Sequence, residues 1–242
     1  MELLSEIVRR ALSRQPDPSA VVVVLTAAAA LLLVLVPRLW PVTRLLVTIT
    51  HEGAHGVAAL LAGRRLQGIR LHSDTSGLTV SRGRPSGPGM VVTLLAGYLG
   101  PALVGVGAAL LLAAGHSLGL LWGYVLLLAL MLLQIRNFYG LLVVLAALLL
   151  LAAVSWFLSA PAQSAIAYLT TWVLLIAAPK PVLELVRQRR RGRGAHSDAD
   201  QLARITGVPG LVWTAVFLLG SVLGLVVGAA VLVPGLTELA RG

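Results

Sequence analysis

Seven apolar runs decide what this chain can fold into. They lie at 19–36, 42–62, 90–114, 118–133, 140–158, 162–178 and 210–233, and a helix needs about 20 apolar residues to cross the hydrocarbon core of a bilayer. Of the 242 residues, 58% are hydrophobic and 12% charged, against roughly a quarter charged in an ordinary soluble domain. A water-soluble fold of this size lacks the polar surface it needs. Lipid satisfies no backbone hydrogen bonds, so continuous spans must be helices or a closed barrel, and runs of this length are helices. We expect an all-α polytopic membrane protein of about seven transmembrane helices, with 1–242 forming a single membrane domain. The chain has no cysteine, which removes disulfides, thiolate metal sites and a cysteine nucleophile.

A net charge of +10 would suggest nucleic acid in a soluble chain, but here the cations gather between spans. With the amino terminus inside, 16 of the 19 Lys and Arg residues fall in inside segments, leaving Arg38, Arg44 and Arg241 outside. The positive-inside rule then makes the amphipathic segment 1–18 cytoplasmic and the carboxyl terminus extracytoplasmic, in a multi-pass protein of the cell membrane. Two cytoplasmic insertions interrupt the spans, at 64–88 and 180–208. In the first, Ile69, Leu71, Leu78 and Val80 alternate around Asp74-Thr75-Ser76-Gly77, the pattern of a small β-hairpin. Its edge strand is of the kind that pairs with an extended peptide. The second holds the polybasic run from Arg187 to Arg193, suited to anionic lipid. No aromatic residues interleave with it, so nucleic acid is not an expected partner. Gly97, Gly100, Gly105 and Gly107 on the third run suggest close helix packing.

The second run carries Thr50-His51-Glu52-Gly53-Ala54-His55. Ionisable groups inside a membrane helix cost several kcal/mol each, and here three fall within five residues. Residues four apart share one face of a helix, so the two imidazoles can reach one cation. Glu52 follows the first histidine and is placed to take a proton from a water activated by the ion. His-Glu-x-x-His is the zincin signature.

A His-Glu-x-x-His within a transmembrane span resembles the site-2 protease family of intramembrane zinc metalloproteases, and more narrowly its small bacterial M50B-like branch. Ala96-Gly97-Tyr98-Leu99-Gly100-Pro101 is similar to the family's Gly-Pro-bearing helix, which packs against the metal helix. Arg136-Asn137-Phe138-Tyr139-Gly140 resembles the branch's Arg-Asn-x-x-Gly turn, and Ser197-Asp198-Ala199 its Ser-Asp-Ala segment. The resemblance spans roughly 42–213 and implies zinc as cofactor, a membrane protein as substrate and a hairpin directly after the metal helix. It does not supply the third ligand. Better-known members draw that ligand from an Asp-Gly motif, and this chain has none.

A catalytic zinc takes three protein ligands and leaves one position open. Asp198, Asp200, Glu184, Asp74, His196, His72 and Asn137 are the candidates for the third. Asp198 is favoured for its place in the Ser-Asp-Ala segment. A competing reading makes Ser197 and Asp200 a helix cap, with the acids of that turn merely complementing a helix dipole. Asn137 is a natural polar group for a substrate backbone or an oxyanion. The expected function is hydrolysis of peptide bonds in membrane-embedded substrates, with His51, His55 and Asp198 on zinc and Glu52 as general base. The alternative is a catalytically silent membrane protein in which the same residues bind a structural metal, or carry metal or protons.

Overall fold

A computed structural model describes residues 2–191 and 197–233. Ten helices and one hairpin follow in the order α1 (Glu2–Leu12), α2 (Ala20–Leu35), α3 (Trp40–Leu61), β1 (Arg65–Leu71), β2 (Gly77–Arg82), α4 (Pro88–Ala113), α5 (Ser117–Leu132), α6 (Phe138–Phe157), α7 (Ala160–Ala177), α8 (Pro179–Arg190), α9 (Asp198–Thr206) and α10 (Gly210–Leu232). Every apolar run of the sequence becomes a helix, and the hairpin forms where alternation predicts it.

By length and composition, four or five candidate spans stand among the described residues. Among the described residues, α4, α6, α7 continued by α8, and α10 are each long and apolar enough to cross a membrane. The pair α2 and α3 makes a fifth only as one bent unit, turned by 99° at its break. Pro37 lies within that break and Pro41 in the first turn of α3. Proline lacks the N–H that would continue a helical ladder and disfavours helical geometry in the residue before it. α5, with 16 residues, is apolar but shorter than a full span.

This bend decides which segments lie together at one end of the bundle. With α2 and α3 taken as two antiparallel crossings, segment 1–18 and the turn after α4 fall on opposite faces. The structure puts them on one. The Gln15 N–H donates to the Gly115 carbonyl at 2.8 Å, and the Arg10 guanidinium lies 5.0 Å from the Trp156 ring, near the end of α6. The hairpin, the α5–α6 turn, α8 and α9 gather at the opposite end.

Apolar packing between helices builds the core. Its largest cluster joins Val23 and Ala30 of α2, Ala109 and Leu112 of α4, Leu121 of α5, and Trp172 and Leu175 of α7. Small residues set the closest approaches, as expected where lipid supplies no hydrophobic drive between helices. Gly100 faces Ala54 and Gly105 faces Leu175, each with no room for a Cβ, whereas Gly107 looks into open space and serves no packing.

The hairpin is anchored on three sides. β1 pairs antiparallel with β2 through a register shift between Leu66 and Gly68. Its other edge takes a parallel bridge from Ile69 to Ile135, with Ile69 N–H to Gln134 O at 2.8 Å and Arg136 N–H to Ile69 O at 2.9 Å. Gly68 permits this, because its φ of +152° suits glycine and a Cβ there would collide with the Arg136 side chain. Along α3, the Thr48 hydroxyl donates to the Thr75 carbonyl at 2.8 Å. Ile69 and Leu71 are buried while Leu78 and Val80 are exposed. The tip is turned by Thr75 in the left-handed region at φ 67°, and Gly77 belongs to β2 rather than to the turn.

Candidate metal centre

The histidine face of α3 meets two other elements. His51 and His55, one turn apart, direct their Nε2 atoms to within 3.1 Å of each other. Asp198, the first residue of α9, brings its Oδ2 to 3.4 Å from His51 Nε2 and 3.3 Å from His55 Nε2. Among the described residues, these three form the group whose donor atoms converge as metal ligands can.

The donors fit a tetrahedral ion. Zinc bonds nitrogen and oxygen at about 2.0–2.2 Å, so two ligands at the tetrahedral angle stand roughly 3.3–3.5 Å apart; the observed edges of the triangle are 3.1, 3.3 and 3.4 Å. Space is reserved as well. A Cβ on Gly97 of α4 would fall 2.7 Å from His51 Cε1 and closer still to His55, so a glycine there is what lets α4 lie against both rings. The His55 Nδ1–H donates to the Thr93 carbonyl at 2.7 Å. That bond fixes the tautomer and leaves the Nε2 lone pair facing the triangle, as in metal-binding histidines, whose other ring N–H donates to a carbonyl or carboxylate.

Asp198 reaches the site because its neighbours seat the helix. Ser197 and Asp200 form a capping box: the Ser197 side chain accepts from the Asp200 N–H, and Asp200 accepts from the Ser197 N–H at 3.3 Å. Gly207 closes α9 in the left-handed region at φ 74°, as helix C-caps favour. Cap and ligand readings of this segment are therefore compatible, since Ser197 and Asp200 hold the end while Asp198 faces the histidines.

The remaining candidates lie elsewhere. Glu184 accepts from Trp40 Nε1 at 2.9 Å and lies 3.4 Å from Arg44. Asp74 accepts from the Ser76 N–H in the hairpin turn, with His72 beside it. His196 lies outside the described residues. The Asn137 side-chain amide donates to the Leu71 carbonyl at 2.6 Å and accepts from the Leu71 N–H at 3.2 Å. It clamps β1 to the start of α6.

Glu52 sits on the next face of α3, about 100° round from His51, and it is buried. Its Oε2 accepts from the Thr79 hydroxyl of β2 at 2.6 Å. Tyr98 of α4 packs edge-on to His51 with centroids 4.9 Å apart and stacks on Phe217 of α10. Thr93 and Thr79 carry no motif that would single them out in the sequence.

A family model described as Peptidase M50B-like matches residues 24–228, a stretch that includes every residue of the triangle. Neither the curated proteins nor the solved structures yield a match.

Proposed function

Because this chain belongs to the Peptidase M50B-like family, we propose that it is an intramembrane zinc endopeptidase that hydrolyses peptide bonds of membrane-embedded protein substrates. The observation that carries this reading is the donor triangle of His51, His55 and Asp198, set beside a buried carboxylate on the same helix. Among the described residues three protein donors converge, the number that a catalytic zinc takes, a closed structural site having four; this favours the enzyme over a silent metal protein.

His51 and His55 would hold the ion through Nε2 and Asp198 through Oδ2. A zinc ion held there would supply Lewis acidity for a carbonyl and for water at neutral pH. Glu52 accepts the proton of the attacking water on its carboxylate and returns it to the leaving amine. Thr93 keeps His55 in the ligating tautomer. Gly97 keeps α4 from crowding the two rings.

The reading extends to sidedness and partners. Arg9, Arg10 and Arg14 stand at the end bearing the α4–α5 turn, whereas the hairpin arginines, Arg136, Lys180 and the α8 arginines stand at the other. The positive-inside rule makes that second end cytoplasmic. Segment 1–18 is then extracytoplasmic, the reverse of the sequence expectation, and α10 still finishes on the extracytoplasmic side. Arg187, Arg190 and Arg191 are exposed and suited to anionic lipid; Arg189 is taken by Asp200.

The decisive experiment compares wild type with Glu52→Gln in detergent. Both should bind one zinc, and the wild type alone should cleave a fluorogenic library of single-span peptides, with chelation abolishing and zinc restoring the cleavage. Undiminished cleavage by Glu52→Gln would remove the assignment.

A further inference from the structure

The protease reading gives Glu52 its task but leaves open what aims its carboxylate. A glutamate has three side-chain torsions, and α3 alone fixes none of them. The hairpin does. Thr79 Oγ1 lies 2.6 Å from Glu52 Oε2 and 3.1 Å from the Glu52 carbonyl, so the single hydroxyl proton has Glu52 for both its acceptors. Gly77 is two residues earlier on the same face of β2. A Cβ there would fall 2.5 Å from Glu52 Cγ, 2.6 Å from Oε1 and 2.7 Å from Cδ. Its backbone is outside the left-handed region, so room for Glu52, and not backbone conformation, is what requires a glycine.

The strand carrying these two residues is itself fastened at both ends, to Thr48 of α3 and to Arg64 in the turn that follows α3. Towards the tip, Thr48 bonds to Thr75 at 2.8 Å. Towards the base, the Arg64 Nε–H donates to the Ser81 hydroxyl at 3.0 Å. Gly77, Thr79 and Ser81 alternate inward while Leu78, Val80 and Arg82 point out, as the period of a strand dictates. A donor and a wall, both on a fastened strand, confine the Glu52 carboxylate.

We propose that Thr79 and Gly77 are positioning residues for the general base, so that strand β2 sets the aim of Glu52 for proton transfer. The inference rests on the protease reading above. It differs from a fastening role, in which Thr79 only ties the hairpin to α3.

The test uses the zinc-loaded full chain and the same fluorogenic peptide library. Thr79→Val and Gly77→Ala should each lower kcat about 10- to 100-fold, the range typical of lost support for an active-site group. KM, zinc stoichiometry and hydrogen-exchange protection of the β1 and β2 amides should stay at wild-type values. Thr79→Ser, which keeps the hydroxyl, should restore kcat. A Thr79→Val chain that cleaves at the wild-type rate overturns the inference and leaves the protease reading standing. So does a loss of kcat matched by loss of amide protection, which reduces Thr79 to a fastening. A zinc-loaded wild type that cleaves nothing overturns the protease reading, and this inference with it.

Discussion

Arg189 Nη1 lies 2.6 Å from Asp200 Oδ1, and the same carboxylate closes the capping box with Ser197 at the end of α9 that bears Asp198. The third metal-facing donor thus depends on a neighbour two residues away that never touches the histidines. Asp200→Ala removes both the box and the ion pair. Helix caps contribute about 1 kcal/mol, and lost support for a ligand typically lowers metal affinity about 10- to 100-fold. We expect zinc affinity to fall by that factor, read by competition against a chromophoric chelator. Unchanged affinity would mean that the apolar seat of Ala199 and Leu202 orients α9 unaided.

Gly97 and Gly107 share α4 but face different surroundings. A methyl at Gly97 intrudes on both imidazoles, whereas one at Gly107 meets nothing within 4 Å. Gly97→Ala should abolish stoichiometric zinc binding in a protein that still extracts as a folded monodisperse species. Gly107→Ala should bind zinc as the wild type does. Metal analysis of the two purified variants decides the matter, and equal zinc content would argue against the close approach of α4.

Asn137 makes two hydrogen bonds to the backbone of Leu71, each contributing about 1 kcal/mol. Asn137→Ala should raise exchange of the Leu71 amide about 10- to 100-fold, with zinc content unaltered. Mass-resolved hydrogen exchange measures this directly. Loss of zinc in this variant would instead tie the residue to the donor triangle.

The absence of native cysteine makes sidedness simple to test. Single cysteines at Ser13 and Ser86, both exposed, should react with a membrane-impermeant maleimide from opposite sides. Ser13→Cys should label in intact cells and Ser86→Cys only after permeabilisation. Labelling of both from one side would contradict the arrangement of α1 and the hairpin at opposite ends.

The sequence is most legible where chemistry is rare. His51, Glu52 and His55 stand out because lipid makes ionisable residues conspicuous, and the hairpin because alternation changes to period two at Ile69. Asp198 stands in the sequence among other acids, two histidines and an asparagine, and a ligand and a cap use the same residue types; the fold gives the cap to Ser197 and Asp200. The bend between α2 and α3 was hidden for another reason. Two apolar runs with a proline-bearing break read alike whether the chain reverses or turns by a right angle, and the contact between Gln15 and Gly115 that distinguishes the two joins distant segments. Thr79 was invisible, because a threonine on a strand is ordinary until its neighbour across the gap is known.

The donors of the triangle come from α3 near the start of the chain and α9 near its end. Ion capture would therefore act as a clasp, closing a very long loop and removing freedom from the unclasped ensemble. Stripping the ion should leave the bundle intact yet free the short peripheral helix to swing, so that a protease added from outside nicks the chain around α9 sooner in chelator than in zinc.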